Sequence, residues 1–328
     1  MKTKAKGIGL LSGGLDSILA VKVLQEQPLE LVGITFSTPF FDPEPGLLAG
    51  RMAGIPVRAV DIGEVFLTML KNPPHGYGRY MNPCIDCHGL MLQEAAKIMK
   101  AEGADFLFTG EVVGQRPMSQ RRAALKIVEK MSGEAGRVLR PLSAKLLEPT
   151  LVEREGLVDR EKLLNLSGRG RKRQMELAQF YGLRDVPQPA GGCRLTKEGF
   201  ARKLKELFAL MPQADLRHVE RLKWGRHFRL ATSCLLALGR SKAENERLSV
   251  MASPDDVVLS VPSHPGPTGL LFGTGIKRAH VQAAAMIVAA YSDVAVGERV
   301  FVRWVQRGVE GWRRVKNVGR TPWMHRLL

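Results

Sequence analysis

Ser12-Gly13-Gly14-Leu15-Asp16-Ser17 is the stretch on which the reading of this chain turns. An apolar run, Ile8 to Leu11, precedes it, and Ile18 to Leu24 follows with apolar residues at helical spacing. That order spells a strand, a glycine turn and the start of a helix. Two glycines allow a tight turn and let backbone approach a ligand without an intervening side chain. Ser12, Asp16 and Ser17 are residue types that cap helix starts. Free N–H groups at such a start, with the positive end of the dipole, favour an anion. A capped strand-to-helix turn occurs in any α/β domain, but the density of this pattern, directly after the first strand, favours a nucleotide turn. The lysine that would make it a kinase-type P-loop is missing.

Working outward, the first half alternates strands and helices. Leu29 to Phe36 and Ile55 to Asp61 read as strands around a short helix at Gly46 to Ala53. Gly76 to Pro83 reads as a loop that delivers Cys84-Ile85-Asp86-Cys87 to a long helix, His88 to Glu102. Ala104 to Phe108 is a further strand ending in Thr109-Gly110-Glu111, and Val138 to Leu142 another. The alternation predicts α/β architecture, a doubly wound parallel sheet with ligands gathered at the carboxyl ends of its strands. Ser167-Gly168-Arg169-Gly170-Arg171-Lys172-Arg173 is a basic run leading into a helix, Gln174 to Tyr181. Basic residues sit badly at the positive end of a helix, so an anion such as RNA phosphate is expected there. The turn Pro187 to Gly192 then presents Cys193, and a helix from Thr196 to Leu210 closes a first domain over residues 1–210. Met211 to Asp215 is the expected linker to a smaller α+β domain, 216–328. In it Gly225–Leu230 and Cys234–Arg240 pair as a hairpin, Ser241–Met251 and Arg278–Tyr291 are helices, and Val257–Val261, Arg299–Val305 and Trp312–Val318 are strands.

The 328 residues carry 49 Lys and Arg against 32 Asp and Glu, a net charge of +17. Residues 210–328 hold 18 basic and 9 acidic residues, leaving 31 and 23 for the remainder, so both halves are basic. A polyanionic partner is expected. No apolar run is long enough to span a membrane, and no signal peptide is legible before the nucleotide turn; a cytoplasmic protein is expected. Four cysteines are too few for a disulfide scaffold and point to metal or thiol chemistry. Cys84, Cys87 and Cys193 are one ligand short of a closed structural zinc site. They suit a [4Fe–4S] cluster with one open iron, or a catalytic pair plus a spare. Zinc stays open too, with His88 or Cys234 as a fourth ligand, although Cys234 lies in an apolar stretch and reads as buried and inert.

The Ser12–Ser17 turn resembles the pyrophosphate loop (PP-loop) of enzymes that cleave ATP between the α- and β-phosphates. Together with Thr109-Gly110-Glu111-Val112-Val113-Gly114-Gln115, Ser119-Gln120 and Leu139-Arg140-Pro141-Leu142, it resembles the catalytic domain of tRNA 4-thiouridine synthetases. Asn82 to Cys87 is similar to the cysteine loop of the related tRNA 2-thiouridylases, and Gly191-Gly192-Cys193 to the second active cysteine of both groups. The resemblance covers roughly residues 7–205 and implies a Rossmann-like, HUP-type PP-loop ATPase. Ser12, Gly13, Gly14, Leu15, Asp16, Ser17, Thr35, Thr109, Gly110 and Gln115 would bind ATP with Mg²⁺. Asp16, Cys87 and Cys193 would be catalytic. Cys84 makes a CxxC as in iron–sulfur-dependent tRNA thiolases, so Cys84, Cys87 and Cys193 would hold a cluster; in the alternative chemistry Cys193 carries a persulfide that Cys87 resolves. The implied activity is adenylation of a tRNA uridine and replacement of its oxygen by sulfur, from hydrosulfide or from a cysteine desulfurase or carrier. No counterpart of the RNA-binding domains that precede the catalytic domain in those synthetases is expected before Gly7.

Residues 218–318 resemble the RNA-binding domain of the NFACT family, through Gly225 to Phe228, Gly239 to Leu248, and Ala283-Ala284-Ala285 leading to Tyr291-Ser292. Arg169, Arg171, Lys172, Arg173, Arg226, Arg240 and Asn245 are the expected RNA contacts, with bracing of the turn as the other role for Asn245. Two other classes stay open: a PP-loop ligase acting on a small molecule, and a non-catalytic RNA-binding factor.

Overall fold

The computed structural model describes residues 4–185 and 192–328 and divides into two compact units, Met1–Thr196 and Lys197–Leu328. The first runs β1 (Lys6–Leu10), α1 (Leu15–Gln25), β2 (Glu30–Ser37), α2 (Glu44–Ala53), β3 (Val57–Asp61), α3 (Gly63–Lys71), α4 (Cys84–Ala101), β4 (Phe106–Thr109), α5 (Arg122–Met131), β5 (Val138–Leu139), α6 (Leu151–Arg154) and α7 (Lys172–Phe180). Its sheet is parallel, in the order β3-β2-β1-β4-β5. The chain winds outward from β1 to one side, then crosses to β4 on the other. The carboxyl ends of β1 and β4 are therefore the topological switch point, where open α/β sheets leave a crevice for ligands.

Helices α1, α2 and α7 pack together on one face, and α3, α4 and α5 on the other. β1 alternates small and large residues, and the glycines at 7 and 9 leave room for the rings of Phe106 and Phe108 on β4. α1 is buried along almost its whole length, with Ile18, Leu19, Val21 and Leu24 in the core. A helix so enclosed holds its N-terminus rigidly, which fixes the loop that follows β1.

The second unit runs α8 (Glu198–Leu210), α9 (Leu216–Arg221), β6 (Arg226–Ala231), β7 (Cys234–Leu238), α10 (Lys242–Val250), β8 (Val257–Ser260), β9 (Gly269–Gly273), α11 (Arg278–Tyr291), β10 (Arg299–Gln306) and β11 (Val309–Lys316). Its strands form an antiparallel sheet in the order β11-β10-β8-β9-β7-β6. α11 lies across one face, brought close by buried Ala284, Ala285 and Ala289.

The division falls between Thr196 and Lys197, ahead of the linker expected at Met211–Asp215. α8, expected to close the first domain, packs with α9; Lys203 donates to the Gly225 carbonyl at 3.3 Å, and Glu206 pairs with Arg229 at 2.6 Å. Residues 186–191, which include all but Gly192 of the turn expected to present Cys193, lie outside the described residues. No helix among the described residues is long and apolar enough to cross a membrane.

Candidate active site

The loop after β1 enters α1 without a side-chain cap: the N-cap is Gly14, and no side chain bonds the first-turn N–H groups. The capping expected of Ser12, Asp16 and Ser17 is not what these residues do. Ser12 is exposed, and Ser17 is buried and donates from Oγ to the Gly14 carbonyl at 2.7 Å. An uncapped, rigid helix start keeps its N–H groups and its positive end for an external anion. Gly13 has φ of +84°, in the left-handed region, and a side chain there would run into Pro45.

Asp16 sits in the first turn of α1. Its Oδ2 accepts from Gln115 Nε2 at 2.9 Å, whereas Oδ1 is buried with no hydrogen-bond partner. Burial pushes the carboxyl above its ordinary range, against the opposing pull of Gln115, Arg171, Arg116 and Gln174. A buried carboxylate oxygen left unpaired is costly unless something binds it. Beside an anion-binding helix start, a divalent cation carrying a polyphosphate fits that oxygen.

Thr109 closes β4 in register with Leu10 of β1, so the loop after β4 lies beside the loop after β1. A Cβ on Gly110 would stand 2.5 Å from the Asp16 carbonyl carbon and the Ser17 nitrogen, so only glycine lets the two loops touch. Beyond it, Gln120 ties the next turn into a ring: its carbonyl accepts from Gly114 N at 2.7 Å and its Oε1 from Arg116 N at 3.1 Å. That ring holds Gln115 on Asp16. Thr35, on β2, is buried and packed against Gly46 of α2.

Glu111 is the hub between this loop and the cysteines. It is buried, and its carboxylate receives His88 Nδ1 at 2.9 Å, Arg140 Nε at 3.1 Å and the Thr109 hydroxyl at 3.1 Å. Burial alone would raise its pKa; the His88 hydrogen bond and the Arg140 charge hold it down at about 2. Arg140 is buried too, and is shared with Glu129 at 2.8 Å and the Leu125 carbonyl at 3.3 Å. The Arg-Pro-Leu stretch therefore braces the loop from below.

Cys84 and Cys87 stand three apart in the first turn of α4, on one helix face. Three polar side chains fix them. Asp86 is fully buried and takes both the backbone N–H (3.0 Å) and Nδ1 (2.7 Å) of His75. Asn82 donates to Cys84 Sγ at 3.2 Å and reaches Met118 Sδ at 3.7 Å, and His88 is held on Glu111. Cys193 opens a 3₁₀ turn, Arg194–Thr196, that is pinned by Arg194 N donating to the Phe40 carbonyl at 3.0 Å. Burial pushes the Cys87 thiol well up, and Cys193, Cys84 and Asp86 add to the rise. Burial likewise raises Cys193, with Cys84 adding to the rise while the backbone at Leu195 and Thr196 opposes it. The three sulfurs thus lie within electrostatic reach of one another.

As a donor set, three thiols suit an iron–sulfur cluster or zinc. Among the described residues, however, no three His, Cys, Asp or Glu side chains stand close enough together to hold a metal ion as placed. His88 is committed to Glu111 through Nδ1, and Cys234 is buried in the core of the second unit.

Of the basic run, Arg171 precedes α7 and acts electrostatically on Asp16, while Gln174 behind it is buried. Gly168 N donates to the Val113 carbonyl at 2.8 Å, laying the run beside the Gly114–Gln120 ring. Arg169, Lys172 and Arg173 are exposed, Arg173 bonding Asn165 at 2.9 Å. In the second unit Arg226 lies over the Tyr291 ring, 5.6 Å from its centroid. Arg240 is ion-paired with Glu244, with Nε at 3.0 Å from Oε2. Asn245 accepts from Thr268 N at 2.9 Å and donates to the Gly266 carbonyl at 3.2 Å, so bracing accounts for both ends of its amide.

The sequence pattern did not single out Arg116, Gln174, Asp86, His75, Asn82 or Glu129. Asn82 and Asp86 stood inside the quoted cysteine loop, and a buried aspartate beside a CxxC was the available signal.

Residues 225–318 match the NFACT protein RNA binding domain family. The tRNA-specific 2-thiouridylase MnmA of Nitratidesulfovibrio vulgaris is 34% identical over 123 residues, covering 32% of this chain and 34% of that protein. Its counterpart in Pelobacter propionicus is 24% identical over 236 residues, 66% of this chain and 62% of that one. The chain therefore spans less than two thirds of the length of these curated relatives. Among solved structures, a protein described as a predicted subunit of tRNA methyltransferase from Methanocaldococcus jannaschii overlaps 42% of this chain and 69% of its own, at 16% identity and a TM-score of 0.32. The C-terminal part of the fibronectin/fibrinogen-binding protein of Streptococcus suis overlaps 74% and 93%, at 11% identity and a TM-score of 0.27. The chain thus combines similarity to tRNA-specific 2-thiouridylases with a segment, residues 225–318, that matches the NFACT RNA-binding domain family.

Proposed function

We propose that this protein is an ATP-dependent tRNA thiolase, which adenylates a uridine carbonyl and replaces its oxygen with sulfur. One observation carries the reading. At the switch point of the sheet, an uncapped helix start holds an unpartnered buried Asp16 oxygen, and a buried network through Thr109, Glu111 and His88 links that loop to the CxxC turn. On this reading a phosphate-activating site and a thiol site share one scaffold.

In this reading ATP is a substrate whose phosphates lie on the α1 N-terminus, and Asp16 would be the residue that holds Mg²⁺. The magnesium would neutralise phosphate charge. Arg171 and Arg116 add positive charge around Asp16, favouring departure of pyrophosphate. The uridine oxygen forms a bond to the α-phosphorus as the α–β bridge breaks, and pyrophosphate leaves. The base, drawn from its stack, then loses AMP to an incoming sulfur nucleophile. Cys84, Cys87 and Cys193 would hold an iron–sulfur cluster able to supply that sulfur as sulfide. The same thiols also serve a second route that needs no metal. In it the terminal sulfur of a Cys193 persulfide attacks the base and displaces AMP, Cys87 gives up the proton that burial holds on it and attacks Cys193 Sγ, and the thiolated uridine leaves with a Cys87–Cys193 disulfide behind.

The test is ATP–pyrophosphate exchange with and without tRNA, followed by nucleoside mass spectrometry of the tRNA. Exchange that requires tRNA, and a thiouridine in the product, supports the reading. Exchange with a small-molecule acceptor alone points to a ligase, and no exchange removes the catalytic assignment. Mass spectrometry also reads which carbonyl is exchanged.

A further inference from the structure

We propose that the outer face of the β10–β11 hairpin is a stacking platform for unpaired RNA nucleotides, an inference that rests on the RNA-binding reading and gives it a surface. The hairpin alternates in burial over Arg299–Arg303 and Trp312–Lys316. Val300, Val302 and Val315 turn inward and are buried in the core that α11 covers. Their neighbours face the other way: Arg299 pairs with Lys316, Phe301 with Arg314, and Arg303 with Trp312 across the ladder. Cross-strand partners share a face, so Phe301 and Trp312 are diagonal neighbours set among Arg299, Arg303, Arg314 and Lys316. All six are exposed, Phe301 at 56% and Trp312 at 48%.

An edge strand rich in lysine and arginine has a bland account, since charge keeps it from pairing with other sheets. That account explains the cations but not two large aromatics left in water between them. Residues 299–316 hold six Arg or Lys against a single acidic residue, Glu310. Glu310 pairs with Arg303 at 2.7 Å, while Arg299, Arg314 and Lys316 have no ion-pair partner among the described residues. Flat apolar rings interleaved with unpaired cations match a single strand of RNA, whose bases stack and whose phosphates need countercharge. A duplex keeps its bases inside and offers the rings nothing. The hairpin lies within the stretch that matches the RNA-binding domain family.

The full-length protein is titrated with a labelled short oligouridine, and with the same strand annealed to oligoadenine. Phe301→Ala and Trp312→Ala should each weaken oligouridine binding about five-fold or more, the range of lost base–aromatic stacking. Trp312→Phe should restore most of it, and thermal unfolding should not move. Arg314→Ala and Lys316→Ala should each lower the salt slope by roughly 0.7. Duplex binding should be weaker and indifferent to the aromatic changes. If both alanine variants bind oligouridine as the wild type does, the platform is refuted and the RNA reading survives. If the wild type binds neither RNA at low salt, both fall. Binding of oligoglutamate, but not RNA, through Phe301 and Trp312 would make the face a dock for acidic protein and overturn the proposal.

Discussion

Asp16 carries opposite consequences for function and for stability. Its folded-state pKa is raised by burial, so the native state binds the proton more tightly than the unfolded chain. The sign follows: stability falls as pH rises past the ordinary carboxylate range, and at neutral pH the ionised group is a cost. Asp16→Asn should therefore abolish AMP formation while holding or raising the melting temperature. Loss of activity together with a lower melting temperature would make Asp16 a structural residue instead. Glu111 behaves the other way. Its pKa is depressed to about 2, so it stabilises the fold above its unfolded value, and that support is lost as pH falls through about 2. Removing one partner of the buried Glu111–Arg140 pair, as in Arg140→Met, should cost about 3–5 kcal/mol, read by urea denaturation, with Glu111→Gln flattening the acid limb of the stability curve. Asp16 and the cysteines were legible in the sequence because local motifs carry them. Glu129, His75 and Arg116 were not: Glu129 and His75 depend on Arg140 and Asp86, each eleven residues on and brought against them only by the fold, and Arg116 on a turn that only folding closes.

Among elements, β1 with α1 was legible through its glycine motif and α11 was read with its observed ends, whereas α4 begins at Cys84 and takes in the CxxC expected to precede a helix from His88. α3 and α5 are amphipathic, but no glycine or cysteine motif marks them; α9 is a single short turn region capped by Asp215. β9 is bounded by Gly269 and Gly273, so its composition reads as a turn, although pairing on both sides makes it a strand. β5 is only two residues long because the chain bends away at Arg140 to serve Glu111. The α4 N-terminus is where an element-scale experiment decides between sulfur routes. If the thiols close around a cluster on binding iron and sulfide, anaerobically reconstituted protein should hold one [4Fe–4S] cluster per chain. Cys84→Ala, Cys87→Ala and Cys193→Ala should then each lose it, and Cys234→Ala should not. Full thiolation by an iron-free preparation, with Cys84→Ala still active, would leave the persulfide route.

At the scale of the whole molecule, each unit has its own core, and the charge is spread over both. The second unit begins with α8, and this sets what a minimal RNA-binding fragment must contain. α8 buries Ala201, Leu204 and Leu207 and anchors to β6 through Lys203 on the Gly225 carbonyl and Glu206 on Arg229. Lys203 is desolvated enough, and near enough to Arg240, for its pKa to drop to about 8. That shift is the mark of a lysine packed into structure, not one waiting on a surface. Its folded pKa lies below its unfolded value, so the charge costs stability at neutral pH, and the cost lifts as pH rises through about 8 toward the unfolded value. A fragment of residues 197–328 should accordingly unfold in one cooperative transition and gain stability between about pH 8 and 10. Lys203→Met should remove the gain. A fragment starting at 212, which lacks α8, should melt lower or fail to fold, because it exposes what Leu204 and Leu207 cover. The 197–328 fragment should bind tRNA with an affinity that falls steeply as salt is raised, since phosphate contacts dominate such binding. A folded 197–328 fragment with no affinity for tRNA at low salt would move the RNA grip to the first unit, where Arg169, Lys172 and Arg173 are the exposed candidates.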